Sequence, residues 1–187
     1  MPGRIFVNYR RDDDPSAAAR ARDGLAATFG RANLFMDVDD LLAGLRFDEE
    51  LAKALATCDV FIAIIGARWM DLFDAGRASG ERDYVHEEIA EALKRRIVVI
   101  PVLVGRDGQL PPLPRADGLP AGIRDLVLYQ KHDVAHEHFG RDIAGLSNAI
   151  AAVRVPWGWV GATTAAVLGL GYAGLWSLGM PLPPFAD

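Results

Sequence analysis

The sequence contains a single cysteine, Cys58, among its 187 residues. One thiol excludes an intrachain disulfide and any zinc site built from several cysteines, and it fits a reducing compartment. Because Cys58 stands just before the apolar run that begins at Val60, we expect a buried structural thiol rather than a nucleophile.

Positive charge is also scarce: 20 lysines and arginines stand against 25 acidic residues, giving a net charge of -5. Nonspecific nucleic-acid binding needs a basic face that neutralises phosphates, so we predict no nucleic-acid partner. The glycine-rich fingerprints of P-loop enzymes and of Rossmann dinucleotide-binding folds are both missing, which leaves ATP hydrolysis and hydride transfer unsupported.

Charge is absent from the C-terminal segment, where no charged residue follows Arg154 until Asp187. The stretch 155–180 exceeds the roughly 20 apolar residues that span a bilayer, and tryptophans near both of its ends suit the membrane interfaces. We therefore predict a single transmembrane helix over 155–180, followed by a short tail, 181–187. The alternative is an apolar segment folded against the domain. The arginine before the span predicts a cytoplasmic domain with a C-terminal membrane anchor.

Short, nearly continuous apolar runs predict the strands of a buried parallel sheet. These runs are Ile5 to Val7, Asn33 to Met36, Val60 to Ile65, Ile97 to Leu103 and the weaker Leu126 to Tyr129. Helical patterns separate most of them, which is typical of an α/β sheet with right-handed crossovers. The sequence thus predicts a flavodoxin-like α/β domain over residues 1–153, with five parallel strands and flanking helices.

Helix signals fall between these runs. Asp14 and Pro15 predict the start of a helix that Gly30 ends. Other helices are predicted where apolar residues recur about every four positions: Phe47, Leu51 and Leu55; Val85, Ile89 and Leu93; and Phe139, Ile143, Leu146, Ile150 and Val153. Two stretches, Gly66 to Asp83 and Gly105 to Gly122, are predicted to be long loops, which are usually functional or mobile.

Ligands of such sheets bind outside the carboxyl ends of the strands. Arg10, Arg11, Asp37 and Trp69 all follow predicted strands and are expected at this edge. Glu88 borders the apolar face of its predicted helix, whereas its neighbour Glu87 points further from that face, so Glu88 is the better functional candidate. A solvated helix start is the plainer interpretation of either glutamate.

Several segments together resemble a Toll/interleukin-1 receptor (TIR) domain of the bacterial, NAD-cleaving type. The matching pieces are Ile5 to Arg11, with Asn8 in place of a common serine; Phe35-Met36-Asp37 with Ala43-Gly44; Asp83 to Glu88; and Ile97 to Val102. The resemblance implies that Glu88 is the catalytic glutamate. It also implies that Arg10, Arg11, Asp37, Phe47 and Trp69 are candidates for binding the dinucleotide. The alternatives are solvated loop charges for the two arginines, a helix-core position for Phe47 and a structural role for Trp69.

The implied activity is NAD+ glycohydrolysis, with NAD+ as substrate and with no further cofactor or metal. The resemblance also implies self-association of TIR domains through residues 39–47, and an adaptor that only assembles is the alternative function. In bacteria, similar proteins act in anti-phage defence. A phosphorelay receiver with a magnesium site is the rival interpretation of Asp37, Asp39 and Asp40, but the third strand ends in Ile64-Ile65-Gly66 without the required aspartate.

Overall fold

The computed structural model describes residues 4–36, 47–80, 82–106 and 108–153 of the chain. Within these ranges lies a five-stranded parallel sheet in the order β2-β1-β3-β4-β5. The strands are β1 (Ile5–Asn8), β2 (Leu34–Met36), β3 (Val60–Ile65), β4 (Val98–Gly105) and β5 (His132–Ala135). This is the predicted α/β architecture, and β1 lies inside the sheet between β2 and β3.

In the same ranges, five α-helices flank the sheet: α1 (Pro15–Phe29), α2 (Phe47–Ala56), α3 (Trp69–Ser79), α4 (Tyr84–Lys94) and α5 (Phe139–Ala152). The predicted cap of α1 is confirmed, since the Asp14 side chain accepts a hydrogen bond from the backbone N–H of Ala17 at 2.9 Å. Gly30 ends this helix with φ 84°, a backbone conformation that glycine adopts without steric cost.

The alternation of side chains along β1 divides the core into two halves. Ile5 and Val7 face α1 and α5 on one side of the sheet, whereas Phe6 packs on the other side with α3 and α4. Its ring stacks on that of Phe61, with the ring centroids 5.3 Å apart. The sheet is thus covered on both faces, as its apolar strands predict.

Cys58 lies in the second half of the core. Burial raises the pKa of its thiol to about 12; the Asp59 carboxylate adds to the rise and Arg4 opposes it. A thiol with this pKa stays protonated at neutral pH and is a poor nucleophile, which agrees with the predicted structural role.

The predicted fifth strand, Leu126 to Tyr129, is wrong. The structure instead places a 3-10 helix at Ala121–Leu128, and β5 follows it at His132–Ala135. Ile123 and Leu126 are both fully buried, and their spacing of three residues is the period of a 3-10 helix. The true strand lies at the sheet edge and begins with the polar pair His132 and Asp133, so it lacks a continuous apolar run.

The stretch Gly66 to Asp83, predicted to be a loop, contains the helix α3. Trp69 and Phe73 are spaced one helical turn apart, and both are buried. The glycines and charged residues around them obscure this two-residue pattern. The other predicted loop, Gly105 to Gly122, contains no α-helix where the structure describes it; it holds an isolated β-bridge between Arg106 and Gln109, a 3-10 helix at Ala116–Gly118 and the start of another at Ala121.

The predicted transmembrane helix over 155–180 and the tail 181–187 lie outside the described residues. None of the helices in the described ranges has both the length and the apolar content that crossing a bilayer requires.

Candidate active site

The carboxyl end of β1 brings together residues that are far apart in the sequence. Asn8 is the last residue of this strand and is fully buried. Its side-chain amide donates a hydrogen bond to Oε2 of Glu88 at 2.6 Å, across 80 positions of sequence. Glu88 itself is 1% exposed, so the carboxylate lies inside the protein against the carboxyl end of β1.

Helix α4 places Glu88 through its N-terminal cap. The Asp83 side chain accepts a hydrogen bond from the backbone N–H of His86 at 3.1 Å, which fixes the first turn. Glu88 follows in the second turn and points inward, while Glu87 lies at the surface in an ion pair with Arg82. The sequence-based choice of Glu88 as the inward-facing glutamate therefore agrees with the geometry; its catalytic role stays a prediction.

Arg10 forms an ion pair with Asp83, the cap residue of α4. Its Nη2 donates to Oδ2 of Asp83 at 2.5 Å, and both side chains are nearly buried, at 10% and 13% exposure. The guanidinium carbon lies 4.9 Å from the centre of the Trp69 ring and 5.6 Å from that of Phe73. Arg10 is thus enclosed by an acid and two aromatic rings, a setting in which cation–π contacts are strong.

Trp69 has no exposed surface, and its ring stacks on Phe73 with a centroid separation of 5.8 Å. It lies beneath Arg10 and does not line the neighbouring cleft. The predicted contact between Trp69 and a dinucleotide stays a prediction; in this structure the ring packs against the Arg10 guanidinium.

An open cleft of about 550 Å³ lies next to this arrangement. Its walls come from the loop after β1, from α3 and from the start of α4. The charged and polar residues among them are Arg10, Arg11, Asp12, Ser79, Arg82 and Asp83. Arg11 is exposed there, and the Arg82 guanidinium lies 4.9 Å from the exposed Tyr84 ring. Glu88 does not line the cleft, although Tyr84 and Val85, one turn earlier on α4, do so.

A second set of contacts fixes the loop after β1. The Asp13 carboxylate accepts hydrogen bonds from the backbone N–H groups of Gly66 and Arg68, at 2.7 and 2.8 Å. Arg68 also donates to the carbonyl oxygen of Asp12 at 3.1 Å. These bonds tie the β1–α1 loop, which carries Arg10 and Arg11, to the β3–α3 loop, which leads into Trp69 at the start of α3.

Sequence reasoning missed Asp13, Arg82 and Tyr84 as contributors to this site. Tyr84 lies inside the motif Asp83 to Glu88, which could have identified it. The partner of Asp13 is a backbone N–H group, which no pattern of residue types reveals.

Residues 5–141 of the chain match the protein family described as TIR domain. The chain belongs to the TIR domain family. Its predicted assignment to the bacterial type is not tested by this match.

A curated relative of this TIR domain is the NAD(+) hydrolase SARM1 of Danio rerio, which is 31% identical over 98 residues. The match covers 52% of this chain but only 13% of the relative, so the chain spans a small part of that protein's length.

Solved structures resemble the TIR domain as well. The TIR domains of the activated Roq1 resistosome, which recognises the pathogen effector XopQ, give a TM-score of 0.59 at 14% identity, covering 78% of this chain and 98% of theirs. A metazoan TIR-STING receptor from C. gigas, in complex with 2',3'-cGAMP, gives a TM-score of 0.48 at 16% identity, covering 76% and 39%. The likeness to the Roq1 domains supports the TIR fold alone.

The structure describes the side chains of neither Asp37 nor Phe47, two predicted site residues of the TIR domain. Asp37 and most of the predicted assembly loop, 39–46, lie outside the described residues. Phe47 begins helix α2, but its side chain is not described. Among the described residues, no group of three or more histidine, cysteine or acidic side chains is arranged to hold a metal ion.

Proposed function

We propose that this TIR domain is an NAD+ glycohydrolase, which cleaves the bond between nicotinamide and ribose to give nicotinamide and linear or cyclic ADP-ribose. The observation that carries the proposal is the placement of Glu88, a buried carboxylate hydrogen-bonded to Asn8 at the carboxyl end of β1. The partial similarity to the NAD(+) hydrolase SARM1 also supports it.

The reaction needs few catalytic groups from the protein. When the bond between the anomeric carbon and the pyridinium nitrogen breaks, its electron pair goes to the nitrogen, and nicotinamide leaves as a neutral molecule without a general acid. The ribose carbon becomes an oxocarbenium-like cation, as in glycoside hydrolysis. A carboxylate held near that carbon stabilises the cation, most strongly where water is excluded. Water or a second group of the substrate then attacks the carbon.

The cleft beside Glu88 suits the rest of the substrate. Arg11 and Arg82 line its walls, and arginine binds phosphate oxygens through two parallel hydrogen bonds. We assign the diphosphate of NAD+ to this cleft, with Asp37 and Phe47 as further proposed contacts. Arg10 also lines the cleft, and the Trp69 ring packs against its guanidinium. Because Glu88 is 1% exposed, the reaction requires a rearrangement that opens a path from the cleft to its carboxylate.

Assembly of several copies is the trigger that we propose for this rearrangement. The segment 39–47 is proposed to contact a neighbouring TIR domain, and a membrane anchor over 155–180 would concentrate the domains in two dimensions. In this scheme the chain acts in bacterial immune or cell-death signalling at the cytoplasmic side of a membrane.

The burial of Glu88 favours a second function, a TIR adaptor that assembles and signals without catalysis. A carboxylate that does not line the cleft would then serve only to hold α4 on the sheet through Asn8. The Roq1 TIR domains, whose fold is similar, belong to an assembled resistosome.

Nicotinamide release distinguishes the two functions. The full-length chain is placed at high density on lipid vesicles, supplied with NAD+, and compared with Glu88→Ala. We expect the substitution to lower release by about 10²- to 10³-fold, the usual loss on removing one group that stabilises transition-state charge. Glu91→Gln is the control, since Glu91 lies one turn further along α4 in ion pairs with Lys94 and Arg95. An inactive wild-type chain under these conditions would contradict the glycohydrolase and favour the adaptor.

A further inference from the structure

The nitrogen and the oxygen of the buried Asn8 side-chain amide have different surroundings. The nitrogen Nδ2 lies 2.6 Å from Oε2 of Glu88 and 3.4 Å from the backbone carbonyl oxygen of Val85. Both neighbours are hydrogen-bond acceptors, so the NH₂ group must face them and the amide cannot be flipped. The oxygen Oδ1 therefore points elsewhere, and it has no hydrogen-bond partner among the described residues.

The amide starts from a rigid position. Strand β1 pairs with β2 on one side and with β3 on the other, and Asn8 itself is in register with Ala63. Val85 lies one turn before Glu88 on α4, so one NH₂ group contacts both the helix backbone and the carboxylate that projects from the next turn. Its two hydrogens thus set the orientation of the Glu88 side chain relative to both the helix and the sheet.

The chemical nature of the donor also matters. An arginine or lysine at this point would cancel the negative charge of the carboxylate, whereas an amide is neutral and does not. A residue that served stability alone would be better replaced by an apolar one, because a buried oxygen without a partner is unfavourable. The orphan oxygen is therefore more easily understood at a site shaped for function.

We propose that Asn8 is a positioning residue for the reaction: its NH₂ group holds the Glu88 carboxylate in the orientation that stabilises the ribose cation. The proposal rests on the glycohydrolase function and adds to it a second residue, which acts only through Glu88.

The test measures kcat and KM for NAD+ with the full-length chain on vesicles. Asn8→Ala is expected to lower kcat by about 10- to 100-fold with KM little changed, because a misoriented group loses rate rather than ground-state binding. Asn8→Ser restores a donor hydroxyl and should recover part of the rate. Asn8→Asp keeps the shape but puts a second carboxylate against Glu88, so its rate should be no higher than that of Asn8→Ala.

Two further comparisons separate positioning from simple loss of stability. In a Glu88→Ala background, Asn8→Ala should cause no additional loss, since a residue that acts through another has no effect once that other is removed. Ser147→Ala is the matched control. Ser147 is also a buried polar residue, but its hydroxyl donates to the Ile143 carbonyl at 2.9 Å on α5, and we expect its loss to leave kcat unchanged.

The outcomes are distinct. An active wild-type chain with an inactive Glu88→Ala and an unimpaired Asn8→Ala overturns the positioning role and leaves the glycohydrolase. A wild-type chain without activity overturns both. Should thermal unfolding show that Asn8→Ala does not fold, the comparison of Asn8→Ser with Asn8→Asp decides: equal rates in these two folded variants contradict a role for the donor hydrogen.

Discussion

Arg10 and Arg11 are neighbours in the sequence with opposite surroundings. Arg10 is nearly buried, paired with Asp83 and enclosed by the rings of Trp69 and Phe73. Arg11 is exposed at the wall of the cleft. Because Arg10 is nearly buried against Asp83, it mainly fixes the start of α4, whereas Arg11, exposed at the cleft wall, is better placed to meet phosphate oxygens.

This difference predicts a separation of stability from activity. Arg10→Ala leaves Asp83 buried without its partner, so we expect the free energy of unfolding to fall by about 3 kcal/mol. Arg11→Ala, at an exposed position, should change that free energy by less than about 0.5 kcal/mol. It should instead raise KM for NAD+ through loss of a phosphate contact.

Urea unfolding of the two variants, with steady-state kinetics of Arg11→Ala, checks both halves. A stable Arg10→Ala protein would mean that the contact with Asp83 contributes little. An unchanged KM in Arg11→Ala would remove Arg11 from the proposed substrate site.

At the scale of elements, the sequence predicts best what is repeated and buried. β1, β3 and β4 are continuous apolar runs, and the structure confirms them to within about two residues at each end. The helices with three or more periodic apolar residues are confirmed too. β5 was placed wrongly because an edge strand buries only Val134 and Ala135, and α3 was missed because its pattern rests on Trp69 and Phe73.

The candidate site divides in the same way. The helical pattern of α4 is enough to separate the inward Glu88 from the outward Glu87. The sequence does not predict the partner of Glu88, because Asn8 lies 80 residues away and contacts Glu88 only in the folded chain. The bond between Asp13 and the Gly66 backbone is hidden for a similar reason, because a backbone donor leaves no trace in residue identity.

That bond gives a prediction for two loops. A side-chain Cβ at Gly66 would lie 2.7 Å from both carboxylate oxygens of Asp13. Gly66→Ala therefore forces the Asp13 carboxylate away from the backbone N–H groups that it accepts from. We expect a loss of about 1–3 kcal/mol in the free energy of unfolding, typical of overpacking at a close contact.

The double variant identifies the cause. In an Asp13→Ala background the clash is gone, so adding Gly66→Ala should cost clearly less than it does in the wild-type chain. The four free energies of unfolding come from urea titrations of the wild-type, single and double variants. Additive losses would show that the Cβ at Gly66 is disfavoured by something other than Asp13.

At the scale of the whole molecule, charge is unevenly distributed along the chain. The net charge of -5 arises before Val155 except for the final Asp187, and the stretch 155–180 has none. Three arginines nevertheless line the cleft of an otherwise acidic protein. Because Asp12 and Asp83 also line it, the excess is one positive charge, which suits an anionic dinucleotide better than the overall charge indicates.

The uncharged stretch yields the last prediction. If 155–180 is a membrane span, replacing Leu168 and Leu170 with lysine places two charges near its centre, at a cost of about 3 kcal/mol each. The full-length wild-type chain should stay in the membrane fraction after carbonate extraction, and the double lysine variant should be released. Replacement of both leucines by isoleucine, which keeps the apolar character, is the control and should remain in the membrane.

At equal protein concentration with vesicles present, the lysine variant should also release nicotinamide more slowly, because it loses the two-dimensional concentration that favours assembly. Extraction of the wild-type chain into the soluble fraction would contradict the anchor, and equal rates from a released lysine variant would separate membrane attachment from activity.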